Sequence, residues 1–377
     1  MEPPQPPRSL IVLPNRGTAE TILLIPALEM LIRTMPYAQV SIAATNYEQE
    51  EALQLSTISA PICTLNGWTW WHDFGWLRKP CKTLRSIRHN WRVMREFDHV
   101  VFLEAERLAP KAWIRIASWV RARVLVHSIE EGYLTMNRCA YYQRAVAKLL
   151  NVNAAPPGHV PSLSPSAEDQ KFAEAFFQRS VPARQPVIYV NPFVPHGSEN
   201  RRWPIDRYAA LAAALVRRGG YLLLHNPNGA DVRLAAQITD RLFAHVQILP
   251  PLKLGQTGAL LARCALYIGN DTAFVHVALG VATPTLTIFG PTSDEIFAGY
   301  NPLQRVIKNL SACPVAEGSS ARACPGCKRF ETSLAWDKRE DQLPYPCLNP
   351  ITPSAVLSLA EEMLSWKSNT RGRTDRF

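Results

Sequence analysis

Short apolar strands alternate with helix-length segments in two separate series along the chain, and this alternation constrains the fold more than any other feature. The first series reads, in order, SLIVLP, ILLIPALEMLIRTMP, AQVSIAAT, FDHVVFLE, KAWIRIASWVR and ARVLVHS. Strands that alternate with helices in this way form parallel sheets with helices on both faces. The pattern therefore predicts a doubly wound α/β domain over residues 8–155.

A second series of the same kind follows a polar, proline-bearing stretch. That stretch, NAAPPGHVPSLSPSAED, has the composition of a linker. The second series reads PVIYVNPF, PIDRYAALAAALVRRGG, YLLLHNP, ADVRLAAQITDRL, VQILP, LGQTGALLARC, ALYIG and TPTLTIFG. It predicts a second α/β domain over residues 180–355. Two Rossmann-like domains would place the carboxyl ends of both sheets at one central cleft, where open α/β sheets bind ligands.

Composition narrows the class of protein and its partners. The chain has 377 residues, of which 47% are apolar and 19% charged, as expected of a soluble protein with two cores. A formal net charge of +10 indicates an anionic partner: nucleic acid, a membrane surface or a phosphorylated substrate. The N-terminal segment reads as neither a signal peptide nor a membrane span. We therefore expect a cytoplasmic protein whose eight cysteines are reduced thiols or metal ligands more often than disulfides.

The apolar run CALYIG stops at Asn-Asp-Thr before the helix-like segment AFVHVALG begins. A strand that enters a helix through a short polar turn leaves backbone N–H groups unpaired at the positive end of the helix dipole, which suits phosphate. The alternative is that Asp271 or Thr272 caps the helix. The chain contains neither G-x-G-x-x-G nor G-x-x-x-x-G-K-[ST]. The sequence therefore gives less support to a site for a nicotinamide dinucleotide or for a nucleoside triphosphate. A sugar nucleotide fits better.

The stretch GNDTAFVHVALGVATPTLTIFGPT resembles the signature of glycosyltransferase family 9, the ADP-heptose-dependent heptosyltransferases of bacterial lipopolysaccharide synthesis. Three further motifs agree in order: Pro26-Ala27-Leu28 after the opening strand, the RRWP run that ends at Pro204, and LHNPNGAD. The resemblance spans about residue 9 to 357. It implies an α/β, GT-B fold in which the N-terminal domain mainly handles the acceptor and the C-terminal domain binds the nucleotide sugar.

The resemblance also implies a donor site. Asp271 and Thr272, with the backbone that follows, would contact the diphosphate and sugar of ADP-heptose. Since an aspartate repels phosphate, Asp271 would accept hydrogen bonds from sugar hydroxyls while neighbouring N–H groups hold phosphate oxygens. Arg201 stands where the family has a lysine directed toward the donor phosphate, and Arg202 is the alternative cation.

Two other residues are candidate donor contacts, and each also has an interpretation in which it only stabilises the fold. Asp231 lies near the family's acidic contact to the ribose, or is a helix N-terminal acid favoured by the dipole. His276 faces the phosphate, or is a packed helix histidine.

Two positions depart from the family pattern. Glu20 occupies the place of the catalytic aspartate, six residues before Pro26. Its carboxylate keeps the capacity of a general base and adds one methylene of reach, the alternative being an exposed glutamate in the first turn of a helix. Ala273 replaces the family's glycine and narrows backbone freedom where the chain meets the donor. An altered donor or acceptor, or lower activity, would follow.

Four cysteines, Cys313, Cys324, Cys327 and Cys347, suit a tetrahedral zinc or iron site. Family members of the autotransporter-modifying type have an iron-bound cysteine finger, so the resemblance implies a structural metal in segment 313–347. Reduced packing thiols and disulfides are the alternatives. No catalytic metal is expected, because GT-B enzymes commonly balance leaving-group charge with helix ends and cations.

Residues 66–95, NGWTWWHDFGWLRKPCKTLRSIRHNWRVMR, combine tryptophans with a basic helix. The aromatic and basic residues are Trp68, Trp70, Trp71, Trp76, Arg78, Lys79, Lys82, Arg85, Arg88, Arg92 and Arg95. Interfacial aromatics beside a basic helix fit an anionic glycolipid or a membrane surface. They also fit nucleic acid, which we rank lower as a partner, and the alternative is a packed core with a solvated basic face.

These observations predict an inverting glycosyltransferase that transfers heptose from ADP-heptose to a lipopolysaccharide core or to another glycan or protein acceptor. Glu20 would be the base, while Arg201 and the Asp271 turn would stabilise the departing diphosphate. One alternative is a catalytically weak or silent protein that binds a sugar nucleotide or nucleic acid. Another is a protein heptosyltransferase of the autotransporter type. Peripheral contact with the inner membrane would accompany a glycolipid acceptor.

Overall fold

The computed structural model divides the chain into two compact units, Met1–Pro161 and Ser162–Phe377. The structure describes residues 7–14, 16–34, 39–65, 80–103, 114–115, 118, 123–127, 136–152, 160–182, 185–195, 198, 201–225, 243–309 and 347–371. Each unit contains one parallel sheet with helices packed against it.

The first unit contains a five-stranded parallel sheet in the order β3-β2-β1-β4-β5. The strands are β1 (Arg8–Val12), β2 (Gln39–Ala44), β3 (Ile62–Thr64), β4 (His99–Leu103) and β5 (Arg123–His127). Strand β1 is central, and its Ile11 stands opposite Ile42 on one side and Val101 on the other. A central parallel strand is buried on both faces, which explains the unbroken apolar run of its sequence.

Four helices of the first unit are described with their bounds, and they pack against the two faces of this sheet. They are α1 (Thr18–Thr34), α2 (Tyr47–Gln54), α3 (Pro80–Met94) and α4 (Arg138–Leu150). On one face, Ile11 packs with side chains of α1 and α4. On the other face, Leu10 and Val12 pack with Met94 of α3.

Helix α1 begins earlier than its apolar pattern predicts. The sequence predicts a helix from Ile22, whereas the helix starts at Thr18, and the Thr21 hydroxyl donates to the Gly17 carbonyl at 3.0 Å. The four residues before the apolar run, Thr18 to Thr21, are therefore helical. As a consequence, Glu20 lies in the first turn of α1, near its N-terminus.

The second unit contains a six-stranded parallel sheet in the order β11-β10-β9-β6-β7-β8. The strands are β6 (Val187–Asn191), β7 (Tyr221–Leu224), β8 (Val246–Ile248), β9 (Leu266–Asn270), β10 (Thr285–Ile288) and β11 (Gln304–Ile307). The predicted strands PVIYVNPF, YLLLHNP, VQILP, ALYIG and TPTLTIFG are confirmed. Strand β11 was not predicted.

The described helices of the second unit pack on both faces of its sheet. They are α5 (Ala167–Ser180), α6 (Ile205–Arg217), α7 (Leu254–Leu261), α8 (Ala273–Gly280), α9 (Asp294–Phe297) and α10 (Pro353–Arg371). Ile188, Val190 and Ile268 point to one face and pack with apolar side chains of α6 and α10. Since strand side chains alternate, Tyr189, Asn191 and Tyr267 point to the other face.

Helix α5 was not predicted and begins within the stretch that was read as a linker. Ser166 caps it, because the Asp169 N–H donates to the Ser166 hydroxyl at 3.1 Å. The predicted helix ADVRLAAQITDRL lies outside the described residues, as does most of KAWIRIASWVR. Among the described helices, none combines the length and the apolar character needed to cross a bilayer.

A buried histidine, His225, lies beside Tyr189, on the face of the second sheet that also carries Asn191 and Tyr267. The Tyr189 hydroxyl and His225 Nδ1 are hydrogen bonded at 2.6 Å, and the His225 ring lies 4.2 Å from the ring of Phe274. Within the described chain, Nε2 of His225 has no hydrogen-bond partner. Burial lowers the pKa of His225 from 6.5 to about 3, because a charged imidazole cannot be solvated there.

We expect His225 to make the fold acid-sensitive. Its folded pKa lies below its unfolded pKa, so the unfolded chain binds a proton first and stability is lost as pH falls below 6.5. Between pH 7 and pH 5 the loss amounts to about 2 kcal/mol of unfolding free energy. Urea unfolding at both pH values should show a smaller loss for His225→Gln than for the wild type. The control His245→Gln, at a less buried site, should behave as the wild type, and equal losses in all three proteins would contradict this role.

Candidate functional site

The second sheet reverses its strand order between β6 and β9, because the chain runs outward from β6 to β7 and β8 and then returns to β9 on the other side. In an open parallel sheet, the crevice outside the carboxyl ends of the strands at such a reversal binds ligands. Asn191 ends β6 and Asn270 ends β9 at this position. The sequence-predicted turn at Asp271 therefore lies at the binding edge of the sheet.

The turn after β9 leads directly into helix α8, as the sequence predicts. Thr272 occupies the N-cap position with extended backbone, but its side chain makes no capping hydrogen bond. Thr272 is therefore the N-cap residue by position, as one of the two interpretations predicted, but its hydroxyl does not bond the helix N–H groups. The backbone N–H groups of Ala273 and Phe274 have no partner within the described chain. They point from the positive end of the helix dipole and can hold an anion.

The Thr272 hydroxyl is held by the amide of Asn191 instead. Nδ2 of Asn191 donates to Thr272 Oγ1 at 3.3 Å and to the Tyr267 hydroxyl at 3.1 Å, and the Phe193 N–H donates to Asn191 Oδ1 at 3.1 Å. A Cβ at Gly269 would lie 2.6 Å from the Tyr267 hydroxyl oxygen, so this position needs a glycine. The network fixes the turn to strand β6 and directs the threonine side chain inward.

Asp271 carries the buried carboxylate of the turn. Its side chain is 8% exposed, and one of its oxygens lies 3.9 Å from Nη1 of Arg201, whose side chain is 33% exposed. Among the described residues, Arg201 is the cation with which Asp271 forms an ion pair. A distance of 3.9 Å exceeds that of a charge-assisted hydrogen bond, so the carboxylate keeps acceptor capacity for a ligand hydroxyl. The structure therefore brings Arg201 and Asp271 together, and Arg202 follows with a half-buried side chain.

Asn270 braces the loop that carries the two arginines. Its Oδ1 accepts a hydrogen bond from the Trp203 N–H at 2.9 Å, and its Nδ2 donates to the Pro192 carbonyl at 3.0 Å. The indole N–H of Trp203 donates to the Ile351 carbonyl at 3.0 Å. Sequence reasoning missed both Asn191 and Asn270. Their position at the last residue of two apolar strands was the signal that could have identified them.

His276 is buried within helix α8. Its Nδ1 is hydrogen bonded to the Tyr300 hydroxyl at 2.7 Å, and the two rings are stacked. This geometry favours the packing interpretation, and a phosphate contact from His276 stays a prediction. Asp231 lies outside the described residues.

In the first unit, Glu20 lies within a cluster of polar side chains. The Tyr142 hydroxyl donates to Glu20 Oε2 at 2.7 Å, Nε of Arg16 lies 3.4 Å from the same oxygen, and Nε of Arg138 lies 3.7 Å from Oε1. The Glu20 side chain is 17% exposed and that of Arg138 is 3% exposed. Glu20 does lie in the first turn of a helix, but it is not an exposed glutamate, because the buried Arg138, the partly buried Arg16 and the Tyr142 hydroxyl surround its carboxylate.

The start of helix α2 holds the loop between β1 and α1, which precedes Glu20. The Asn46 amide donates to the Arg16 carbonyl at 3.1 Å, and Glu48 accepts a hydrogen bond from the Thr18 N–H at 3.3 Å. The Gln49 amide donates to the Pro14 carbonyl. These contacts fix the backbone that carries both Arg16 and Glu20.

The four-cysteine cluster is described only at Cys347. That side chain is buried in the apolar core against Leu348 and Ile351. Cys313, Cys324 and Cys327 lie outside the described residues, where the predicted metal site also lies. Among the residues that the structure does describe, no group of three metal-ligating side chains is found.

Comparison with known proteins decides the family. The model of glycosyltransferase family 9 (heptosyltransferase) matches residues 120–321, which is more than half of the chain. The chain belongs to glycosyltransferase family 9. The match includes the whole turn at Asp271 and the loop with Arg201, so the family prediction made from these motifs is confirmed.

Curated relatives of this family 9 protein are heptosyltransferases. The chain is 28% identical over 165 residues to lipooligosaccharide heptosyltransferase 2 of Haemophilus influenzae, a match that covers 41% of this chain and 47% of that protein. It is 23% identical over 301 residues to lipopolysaccharide heptosyltransferase 1 of Pseudomonas aeruginosa, covering 77% and 81%. The first of these matches thus spans about half the length of the relative.

Solved structures agree with the fold prediction. The structure of E. coli ADP-heptose lps heptosyltransferase II matches with a TM-score of 0.68 at 18% identity, covering 96% of this chain and 99% of that one. The family 9 glycosyl transferase from Veillonella parvula matches with a TM-score of 0.69 at 16% identity, covering 94% and 97%. The predicted α/β, GT-B class is therefore confirmed.

The Asn191–Thr272 hydrogen bond can be tested by a double-mutant cycle. We expect Asn191→Ala and Thr272→Val each to lower the unfolding free energy by about 1–3 kcal/mol, since each leaves a buried polar partner unpaired. Because the two residues share one bond, the double variant should cost less than the sum by about 0.5–1.5 kcal/mol. Chemical denaturation measures all four proteins. Strict additivity would show that the amide does not hold this turn.

Proposed function

We propose that this chain is an inverting heptosyltransferase that uses ADP-heptose as its donor. The observation that carries the proposal is the turn at the carboxyl end of β9, which combines the family 9 motif with unpaired N–H groups, a buried carboxylate and a nearby guanidinium. Such a site offers donors for a diphosphate and an acceptor for sugar hydroxyls.

On the donor side, Arg201 and the N–H groups of Ala273 and Phe274 would bind the diphosphate. Asp271 would accept hydrogen bonds from donor hydroxyls, and its charge would keep Arg201 positioned in the absence of ligand. Thr272 would act through Asn191, as a positioning residue that fixes the turn. Because these groups are held before the donor arrives, they would stabilise the leaving diphosphate without rearrangement.

On the acceptor side, Glu20 would act as general base. The acceptor hydroxyl would lose its proton to the Glu20 carboxylate as its oxygen forms a bond to the anomeric carbon of the donor. The bond from that carbon to the diphosphate would break, and ADP would leave with the electron pair. Tyr142 and Arg138 would hold the carboxylate in place, and Arg16 would attract an anionic acceptor.

The acceptor we favour is a glycan of the lipopolysaccharide core, with another glycan or a protein as the alternatives. The names of the curated relatives support this choice. We place the enzyme on the cytoplasmic side of the inner membrane, in peripheral contact with it, because a glycolipid acceptor is presented there. A structural zinc or iron bound by Cys313, Cys324, Cys327 and Cys347 completes the proposal, and elemental analysis of the purified protein tests it.

Glu20→Gln should lower kcat by about 100- to 10,000-fold and leave ADP affinity nearly unchanged, because the amide keeps the size of the side chain but cannot take a proton. Arg201→Gln should instead weaken ADP binding by about tenfold or more, since a charge-assisted contact is lost. ADP release from ADP-heptose with a lipopolysaccharide core acceptor measures the first effect, and calorimetry with ADP measures the second.

Glu29→Gln is the matched control, because Glu29 lies on the same helix α1 but pairs with Arg33 and Thr57. It should transfer heptose as the wild type does. Full turnover by Glu20→Gln would remove the assigned base. Tight ADP binding with no turnover by the wild-type protein under any acceptor would favour a catalytically silent sugar-nucleotide binding protein.

A further inference from the structure

Helix α3 carries a row of arginines on its outward face. Arg85, Arg88 and Arg92 are exposed and follow one another at spacings of three and four residues. Side chains at these spacings lie above one another on one side of a helix. Exposed Arg95, in the turn that follows the helix, continues the row, which then extends for about 15 Å along the axis. We call these four residues the arginine row.

The opposite side of α3 packs against the first sheet, so the arginine row faces outward. Met94 is buried, Ile87 and Val93 are partly buried, and all three pack with side chains of the first sheet. The row is therefore presented by a helix that is fixed to the core. Its position does not depend on a ligand.

In the part of the chain that the structure describes, no acidic side chain neutralises the arginine row. Within the described chain, Arg85, Arg88 and Arg92 form no ion pair with a carboxylate. The nearest acids in sequence, Glu96 and Asp98, contact Arg8 instead. A row of unneutralised cations on one rigid face forms a binding surface for a polyanion.

An exposed tryptophan flanks the arginine row. Trp91 is 38% exposed, and the guanidinium carbon of Arg95 lies 5.0 Å from the centre of its ring. Tryptophan is enriched at the level of lipid headgroups, where its apolar ring and polar edge are both satisfied. The helix contains no glutamine and its asparagine, Asn90, is buried, so the row offers arginines but no amide side chain to read adenine. The combination favours a lipid surface over nucleic acid.

We infer that the arginine row and Trp91 form a membrane-docking surface that binds the phosphate headgroups of anionic phospholipids. The arginines supply the electrostatic attraction, and Trp91 inserts at the headgroup level. The inference deepens the proposed function, because it names the surface that brings the enzyme to a membrane-borne acceptor. It rests on the proposed function only for the biological purpose of this binding. Binding to the lipid itself requires neither donor nor acceptor.

The test is sedimentation of the intact chain with phosphatidylcholine vesicles that contain about one third phosphatidylglycerol, against pure phosphatidylcholine vesicles. We expect binding only to the anionic vesicles, and a decline as salt is added. The variant R85Q/R88Q/R92Q should bind about 100-fold more weakly, because each arginine near an anionic surface contributes about fivefold. Glutamine is a good helix former, so the helix should persist in circular dichroism.

The control variant R179Q/R217Q/R263Q removes three exposed arginines from the second unit and gives the same net charge. It should bind the anionic vesicles as the wild type does. Equal loss in both triple variants, or equal binding of the wild type to neutral vesicles, would overturn the inference. Tighter binding of the wild type to a duplex DNA or RNA oligonucleotide than to vesicles, lost in the R85Q/R88Q/R92Q variant, would assign the row to nucleic acid.

ADP calorimetry on the same preparations separates this inference from the proposed function. Vesicle binding lost in R85Q/R88Q/R92Q with ADP affinity unchanged supports the docking surface. ADP affinity without vesicle binding in the wild type would reject the docking surface alone. Vesicle binding without ADP affinity would reject the donor site and leave the docking surface in place.

Discussion

The hydrogen bonds of two asparagines at the ends of β6 and β9 hold the candidate donor site together. Asn191 joins the end of its strand to Thr272, and Asn270 joins the turn to the loop that carries Arg201. Both amides are buried and both use donor and acceptor atoms within the protein. Buried polar groups that are fully bonded specify one arrangement, because every alternative leaves an amide unpaired. The position of Asp271 depends on these two amides.

Much of the fold could be predicted from the sequence, because a strand that is buried on both faces needs an unbroken apolar run. Strands β1, β6 and β9 show such runs, and their order fixed two parallel sheets. The sequence pattern did not predict helix α4 (Arg138–Leu150), for a physical reason. Its buried face mixes Arg138 and Gln143 with apolar side chains, so the sequence there does not read as a purely apolar stripe, and tertiary contacts bury the polar residues. The donor turn was predictable because strand, turn and helix are contiguous in the sequence.

The surroundings of Glu20 were not predictable in the same way. Tyr142 and Arg138 reach its carboxylate from a helix more than a hundred residues away, and no local pattern encodes such a contact. The asparagines Asn191 and Asn270 are a similar case, since each contact joins elements that are far apart in the sequence. Sequence motifs predicted which groups would touch a ligand. The groups that position them depend on tertiary packing.

The cluster around Glu20 also bears on the difference between this glutamate and the aspartate that the family resemblance implies. Arg138 is almost completely buried, and a buried guanidinium needs a counter-charge, which the Glu20 carboxylate helps to supply. A carboxylate at this position therefore has a structural role in addition to any role as a base. The longer side chain reaches Tyr142, Arg16 and Arg138 together, so its extra freedom is restricted by three contacts. A glutamate with these partners keeps its carboxylate in a fixed position, so its difference from the aspartate that the family resemblance implies does not by itself favour a silent protein.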